Sequence, residues 1–223
     1  MVEVSTSLLN AKEEEIIKTI YDLEVAKTDY FHIDVMDGKF VENDTSEKMR
    51  KYTESIKNVS NIPIDVHLMV NNVEEYIKDY IDIGVNCITF HIEACKNEME
   101  VLKQISYIKQ NNCKVGLAVS PKSNIEKIYE YLPYIHKVLI MTVEPGKGGQ
   151  ELLPETIQKI ANINKFIYEN GYEVDIEVDG GINDKNAKQV IEAGTNILVA
   201  GSYIINSDDY AKTIKILKQK NLD

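Results

Sequence analysis

Short runs of apolar and β-branched residues alternate along this chain with longer segments of helical periodicity. In the longer segments apolar residues recur at i, i+3, i+4 and i+7, as at Ile16, Ile20 and Leu23, which predicts helices that cover a core. The short runs predict eight strands: Val2–Ser7, Tyr30–Met36, Ile64–Val70, Cys87–His91, Lys114–Val119, Lys137–Thr142, Glu173–Asp179 and Ile197–Ala200. Residues 138–141 are all apolar, which is typical of a parallel sheet covered on both sides.

The regular alternation predicts the fold class. Eight units, each a strand followed by a helical segment of ten to seventeen residues, fit into 223 residues as a compact α/β (β/α)₈ TIM barrel. A doubly wound sheet would normally need fewer strands and a G-x-G-x-x-G turn after the first strand, and this chain lacks that motif. With no linker, low-complexity tract or shift in composition, we expect one domain over residues 1–223.

Composition and charge exclude several classes of partner. The net charge of −11 argues against nucleic acid and against an anionic membrane surface. It still allows a small phosphorylated substrate, because backbone amides can bind phosphate on an acidic protein. No apolar run approaches the ~20 residues that span a bilayer. The N-terminus leads directly into a strand, so we expect no signal peptide, and the three unclustered cysteines predict reduced thiols in the cytoplasm.

The second predicted strand carries the first candidate chemistry. His32, Asp34 and Met36 share one face because strand side chains repeat every two residues. Ile33 and Val35 occupy the other face and are expected to pack against helices. A histidine and a carboxylate that both point into a barrel can hold one metal ion.

The other strand ends also carry polar residues, and a barrel places its chemistry there. In the third strand Asp65, His67 and Met69 share a face, and the seventh strand ends at Asp179. Of the four histidines, His91 is predicted with Glu93 to have a supporting role.

Five segments in this order identify a family. The chain closely resembles the ribulose-phosphate 3-epimerases over its whole length at His32–Gly38, Asp65–Val70, Met141–Gln150, Ile176–Ile182 and Val199–Ser202. The resemblance implies a metal-dependent barrel that inverts C3 of a ketose phosphate, most simply D-ribulose 5-phosphate to D-xylulose 5-phosphate. It also implies that the substrate is a small phosphorylated sugar and that the protein forms a homo-oligomer.

The resemblance further implies a ligand set and an acid/base pair. By position, His32, Asp34, His67 and Asp179 match the metal ligands, and the two aspartates match the paired acid and base. Two imidazoles and two carboxylates suit one divalent ion per subunit, namely zinc, iron(II), manganese or cobalt, whereas calcium prefers oxygen ligands. A cation there can stabilise the enediolate that forms when the C3 proton leaves, and one aspartate on each face can move that proton.

The resemblance also implies contacts to the sugar and its phosphate. These contacts include His67, and the remaining positions are Ser7, Met36, Met69, Met141, Gly146, Lys147, Gly148, Gly149, Gly180, Gly181, Gly201 and Ser202. Glycine lets backbone N–H groups approach an anion closely, and barrels commonly bind phosphate after the seventh and eighth strands. The segment 146–149 is expected to close over the substrate as a flap.

Several positions depart from the family pattern. Glu42 replaces the usual proline after the second strand, Thr6 replaces a proline, Lys147 replaces an aromatic residue, and Tyr203 replaces a small residue. These departures leave open a 3-epimerase for a related ketose phosphate such as allulose 6-phosphate. A barrel that binds sugar phosphate without catalysis is a third, less favoured hypothesis.

Overall fold

A computed structural model describes residues 2–219 of the chain. Within these residues eight parallel strands pair in sequence order and the last pairs with the first, which closes the barrel. The strands are β1 (Glu3–Ser7), β2 (Tyr30–Met36), β3 (Ile64–Met69), β4 (Cys87–His91), β5 (Lys114–Val119), β6 (Lys137–Met141), β7 (Asp175–Asp179) and β8 (Ile197–Ala200). The predicted (β/α)₈ TIM barrel is therefore confirmed, with strand boundaries that differ by at most two residues.

Helices surround the barrel on its outer side. They are α1 (Ile16–Val25), α2 (Ser46–Val59), α3 (Val73–Ile83), α4 (Glu98–Gln110), α5 (Glu155–Asn170), α6 (Ala187–Glu192), α7 (Ser202–Ile205) and α8 (Tyr210–Leu217). Three 3₁₀ segments accompany them at Glu13–Glu15, Ile92–Ala94 and Ile125–Tyr134. Among the described residues, none of the helices combines the length and apolar character that crossing a membrane requires.

The expectation of a ten- to seventeen-residue α-helix after every strand is wrong after β5, β7 and β8. The two helices after β8, α7 and α8, have only four and eight residues. The connection after β5 is a 3₁₀ helix that contains Pro133, which lacks the N–H group that an α-helix needs in its interior. After β7, α6 has only six residues and is soon followed by Gly194, whose φ of +120° lies outside the helical region.

The strands separate an apolar outer face from a largely polar interior. Ile33 and Val35 belong to the large apolar cluster between barrel and helices, as predicted. The alternating residues His32 and Asp34 point inward and are almost completely buried. The barrel interior thereby collects polar side chains from all around the sheet, while the outer apolar layer supplies the hydrophobic stabilisation.

Candidate active site

Four predicted ligands converge inside the barrel. One ligand atom from each of His32, Asp34, His67 and Asp179 lies within 4.8 Å of the other three. Asp34 and His67 are direct partners in the register of β2 and β3, whereas Asp179 arrives from β7 on another side of the barrel. Closure of the sheet therefore brings together side chains that are far apart in sequence.

Distances within this four-residue cluster fit a single small cation. His67 Nδ1 lies 3.3 Å from both Asp34 Oδ1 and Asp179 Oδ2, and His32 Nε2 lies 3.4 Å and 3.8 Å from the same two oxygens. Ligand bonds of about 2.0–2.2 Å at tetrahedral angles place ligand atoms about 3.3–3.6 Å apart.

His32 supplies a second test of that fit. Its Nδ1 lies 3.0 Å from Asp65 Oδ2, but its buried Nε2, which faces Asp34 and Asp179, has no hydrogen-bond partner among the described residues. A buried polar atom without a partner is costly, and a metal bond at Nε2 would satisfy it. The donor set and this orphaned nitrogen therefore fit a divalent metal ion.

The electrostatics of the cluster favour positive charge. Burial lowers the pKa of His32 and of His67, but the neighbouring carboxylates outweigh burial and raise both pKa values. Burial raises the pKa of Asp34, and the two imidazoles outweigh it and lower that pKa. A metal that binds at these histidines would have to displace any proton from the ligating nitrogens, because a ligating imidazole is neutral.

The hydroxyl of Ser7 binds the Asp34 oxygen that does not face the histidines. Ser7 Oγ donates a hydrogen bond of 2.6 Å to Asp34 Oδ2, while Asp34 Oδ1 faces the histidines. The sequence predicted Ser7 as a substrate contact, and the structure adds this buried hydrogen bond. The bond orients the carboxylate with one oxygen in the cluster.

The cluster lies at the floor of an open cavity, which Asp34 and Asp179 line. Among the sequence-predicted contacts, His67 is fully buried and reaches the two carboxylates. The other predicted contacts all line the cavity, namely Ser7, Met36, Met69, Met141, Gly146, Lys147, Gly148, Gly149, Gly180, Gly181, Gly201 and Ser202.

A buried ionic layer below the cluster was missed by the sequence reasoning. Lys137 contacts Asp65 and Glu177 inside the barrel, and Asp65 in turn reaches His32. Gly116 makes room for the side chain of Lys137, because a Cβ at this position would lie 2.4 Å from Thr89 Oγ1 and 3.0 Å from Lys137 Cγ. The available signal was the two-residue period, which places Lys137 on the interior face with Leu139 and Met141.

A series of hydrogen-bonded side chains, His67, His91 and Glu93, adjoins the cluster. His67 Nε2 lies 2.9 Å from His91 Nε2, and His91 Nδ1 lies 3.1 Å from Glu93 Oε2. Burial lowers the pKa of His91. Burial would raise the pKa of Glu93, but His91 and donors from the loop after β5 outweigh it and lower the pKa to about 2.

The chain matches one protein family along most of its length. Residues 3–205 match the ribulose-phosphate 3 epimerase family. The ribulose-phosphate 3-epimerase of Methanocaldococcus jannaschii is 36% identical, with 100% of this chain and 92% of the relative aligned. The Bacillus subtilis ribulose-phosphate 3-epimerase is also 36% identical, with 98% of this chain and 99% of the relative aligned.

A solved structure supports the fold at lower identity. The crystal structure of a 3-hexulose-6-phosphate synthase superposes with a TM-score of 0.67 at 15% identity, covering 98% of this chain and 97% of that chain. At this identity the likeness concerns the barrel alone. The family match and the full-length relatives lead to the conclusion that this chain belongs to the ribulose-phosphate 3-epimerase family.

Proposed function

We propose that this protein epimerises D-ribulose 5-phosphate at C3 to give D-xylulose 5-phosphate. The observation that carries the proposal is the convergence of Asp34 and Asp179 from different sides of the barrel onto two buried histidines. Inversion of a carbon centre needs a proton removed on one face and returned on the other. Two carboxylates on separate strands can serve the two faces, and membership of the epimerase family agrees with this chemistry.

The two aspartates would exchange protons with the substrate in opposite protonation states. One carboxylate is ionised and accepts the C3 proton, and the other is protonated and delivers a proton to the opposite face. The reverse reaction exchanges these roles. Both carboxylates lie 3.3 Å from His67 Nδ1, so one imidazole contacts the two candidate acid/base groups.

His32, Asp34, His67 and Asp179 would hold one divalent cation. Zinc, iron(II), manganese and cobalt all accept this combination of nitrogen and oxygen ligands. When bound, the ion would supply positive charge beside the C2 and C3 oxygens of the substrate, where negative charge develops as C3 loses its proton.

The cavity walls would position the sugar phosphate above the cluster. Met36, Met69 and Met141 offer apolar surface next to the reacting carbons and exclude water. Gly180 and Gly181 follow β7, and backbone N–H groups of this turn can approach the phosphate because no Cβ intervenes.

The flap at residues 146–149 is braced against neighbouring segments. Asn43 Nδ2 donates to the Gly146 carbonyl at 2.6 Å, and Gln150 Nε2 donates to the carbonyls of Glu144 and Lys147. These bonds hold the segment over the mouth of the cavity, where it would cover the bound substrate.

A related ketose phosphate is the second candidate substrate. Lys147 lines the cavity at a position where the family pattern has an aromatic side chain, and Glu42 lies on the loop after β2. A cation in place of a ring changes what the flap offers to sugar hydroxyls. Comparing kcat/KM for ribulose 5-phosphate and allulose 6-phosphate separates the two candidates, and a preference for the hexulose would overturn our assignment.

An exchange experiment tests the proposed reaction directly. The purified enzyme, loaded with zinc or manganese, is incubated with D-ribulose 5-phosphate in D₂O. We expect xylulose 5-phosphate to form with deuterium at C3. Neither product nor C3 exchange would be observed for a barrel that only binds sugar phosphates, and that result would refute the proposal. Sedimentation of the same sample tests the predicted homo-oligomer.

A further inference from the structure

The outer nitrogen of His67 is held by another histidine. His67 Nδ1 faces Asp34 and Asp179, while Nε2 lies 2.9 Å from His91 Nε2. Both rings are completely buried. Two nitrogens at this distance share one proton, so one ring donates and the other accepts. Which ring donates decides whether His67 can present a lone pair to the cluster.

The contacts of Glu93 favour one direction for that hydrogen bond. Its Oε1 accepts from the backbone N–H of Ser120 at 2.9 Å, and its Oε2 lies 3.1 Å from His91 Nδ1. An ionised carboxylate only accepts hydrogen bonds, so His91 Nδ1 carries a proton. Ser120 Oγ, 3.4 Å from the same nitrogen, can also accept. A neutral His91 then has a lone pair at Nε2, and His67 Nε2 must donate to it.

The surrounding contacts keep the hydrogen-bonded side chains of His67, His91 and Glu93 in place. The rings of His67 and His91 are inclined by 25° with centroids 5.1 Å apart, as an edge-to-edge N–H···N bond requires. The ring of Phe40 lies 5.0 Å from His91. Lys159 Nζ donates to three carbonyls of residues 120–123, which anchors the loop whose amide binds Glu93.

We propose that His91 and Glu93 are positioning residues, which hold His67 in the tautomer whose Nδ1 lone pair points at Asp34 and Asp179. This inference rests on the proposed function, because it concerns how the metal ligand is prepared. The partner of a ligating imidazole fixes its tautomer and ring orientation. Neither positioning residue needs to touch the metal or the substrate.

Nuclear magnetic resonance of the zinc-loaded enzyme tests the direction of the hydrogen bonds without measuring activity. Four histidines in the chain make assignment of the ring nitrogens practicable. We expect a slowly exchanging proton on His67 Nε2, scalar coupling from that N–H to His91 Nε2, and a second proton on His91 Nδ1. A proton on His67 Nδ1, or zinc at His67 Nε2, would overturn the proposal.

Zinc affinity of variants provides a second measurement. His91→Leu removes the acceptor, and Glu93→Gln replaces one acceptor oxygen with an NH₂ group that faces a donor. We expect each change to raise the zinc Kd about 10–100-fold, the usual effect of losing the partner of a ligating histidine. His91→Gln keeps a carbonyl acceptor near the same place and should restore most of the affinity.

Glu24→Gln is the matched control, because Glu24 is partly buried on α1 and bonded to Ser60 Oγ, away from the barrel interior. It should bind zinc like the wild type. Unchanged affinity in both His91→Leu and Glu93→Gln would refute the positioning role. Wild-type protein that binds zinc but does not convert ribulose 5-phosphate would refute only the proposed function, whereas wild-type protein that converts the substrate but binds no zinc would refute only the positioning role.

Discussion

Lys137 and Glu177 are in contact inside the barrel, with Lys137 Nζ 2.5 Å from Glu177 Oε2. The same ammonium contacts Asp65, which in turn reaches His32 Nδ1. Burial and the nearby Asp65 raise the pKa of Glu177 to about 8, so at neutral pH one proton and one ammonium offset the two carboxylates. A single lysine therefore balances the charge of the layer that supports the four-residue cluster.

Replacing Lys137 with methionine should strongly destabilise the fold. The variant leaves Asp65 buried without its cation, which typically costs about 3–5 kcal/mol. Urea unfolding at neutral pH measures the loss. Lys165→Met is the control, because Lys165 is exposed on α5 and pairs with Glu169 only at 3.7 Å, so we expect a change within about 0.5 kcal/mol. Equal midpoints for wild type and Lys137→Met would contradict this prediction.

Gly181→Ala should destabilise more than Gly171→Ala. Both glycines have similar φ values, +70° and +66°. A Cβ at Gly181 would lie 2.5 Å from Leu152 N and 2.7 Å from Gln150 O, whereas nothing lies within 4 Å of a Cβ at Gly171. We expect about 1–2 kcal/mol at Gly171 from the left-handed backbone alone, and about 1–3 kcal/mol more at Gly181.

Urea unfolding of the two glycine variants gives the comparison, and the KM for substrate gives a second reading. A higher KM in Gly181→Ala alone agrees with a phosphate contact at this turn. Equal losses of stability would show that the backbone of residues 150–152 yields to the added methyl group.

The stability contributed by Asp37 should depend on pH in the acid range. Its carboxylate accepts backbone N–H bonds from Lys39, Phe40 and Asn71. Burial would raise the pKa of Asp37, but these donors outweigh it and lower the pKa below 3.8. A lowered folded pKa means that the stabilisation is complete above about 3.8, the unfolded value, and is lost as pH falls through the folded value.

Asp37→Asn should therefore be less stable than the wild type at pH 7 by about 1–3 kcal/mol, because one backbone donor loses its acceptor. The difference should shrink below pH 3.8. Urea unfolding across this range checks the trend, with Asp82→Asn, an exposed position on α3, as control. A difference that stays constant down to acid pH would contradict the prediction.

Removal of either candidate acid/base group should stop epimerisation. Asp34→Asn and Asp179→Asn should each lower kcat by at least about 100-fold, the low end for a positioned acid or base. Each variant keeps one carboxylate, so we expect it to exchange the C3 hydrogen of only one epimer with solvent. Asp37→Asn serves as the control because its carboxyl lies outside the four-residue cluster. Near-normal turnover in Asp34→Asn or Asp179→Asn would exclude the assigned roles.

Metal ions should stabilise the fold as well as restore activity. A metal that binds only the folded state at about 100 times its Kd adds about 2.7 kcal/mol to the free energy of unfolding. After chelation and dialysis, thermal unfolding is followed with added zinc, manganese, cobalt or calcium. We expect a higher Tm with the first three ions and little change with calcium, which prefers oxygen ligands. A Tm that no divalent ion alters would argue against the site.

The order of elements was predictable from local pattern. Short apolar runs that alternate with segments of helical periodicity indicated eight strands. Within β2, the two-residue repeat of side chains correctly separated inward His32 from outward Ile33. These features depend on residues close in sequence, because side-chain direction repeats every two positions in a strand. The family motifs likewise lie in short segments at strand ends.

Three-dimensional contacts decided what local pattern could not. The approach of Asp179 to His67, and the link from Lys137 through Asp65 to His32, depend on closure of the barrel. In sequence, Lys137 looks like the polar first residue of an apolar strand. Its burial becomes favourable only when two carboxylates from other strands surround it, since a buried charge needs a partner that distant parts of the chain supply.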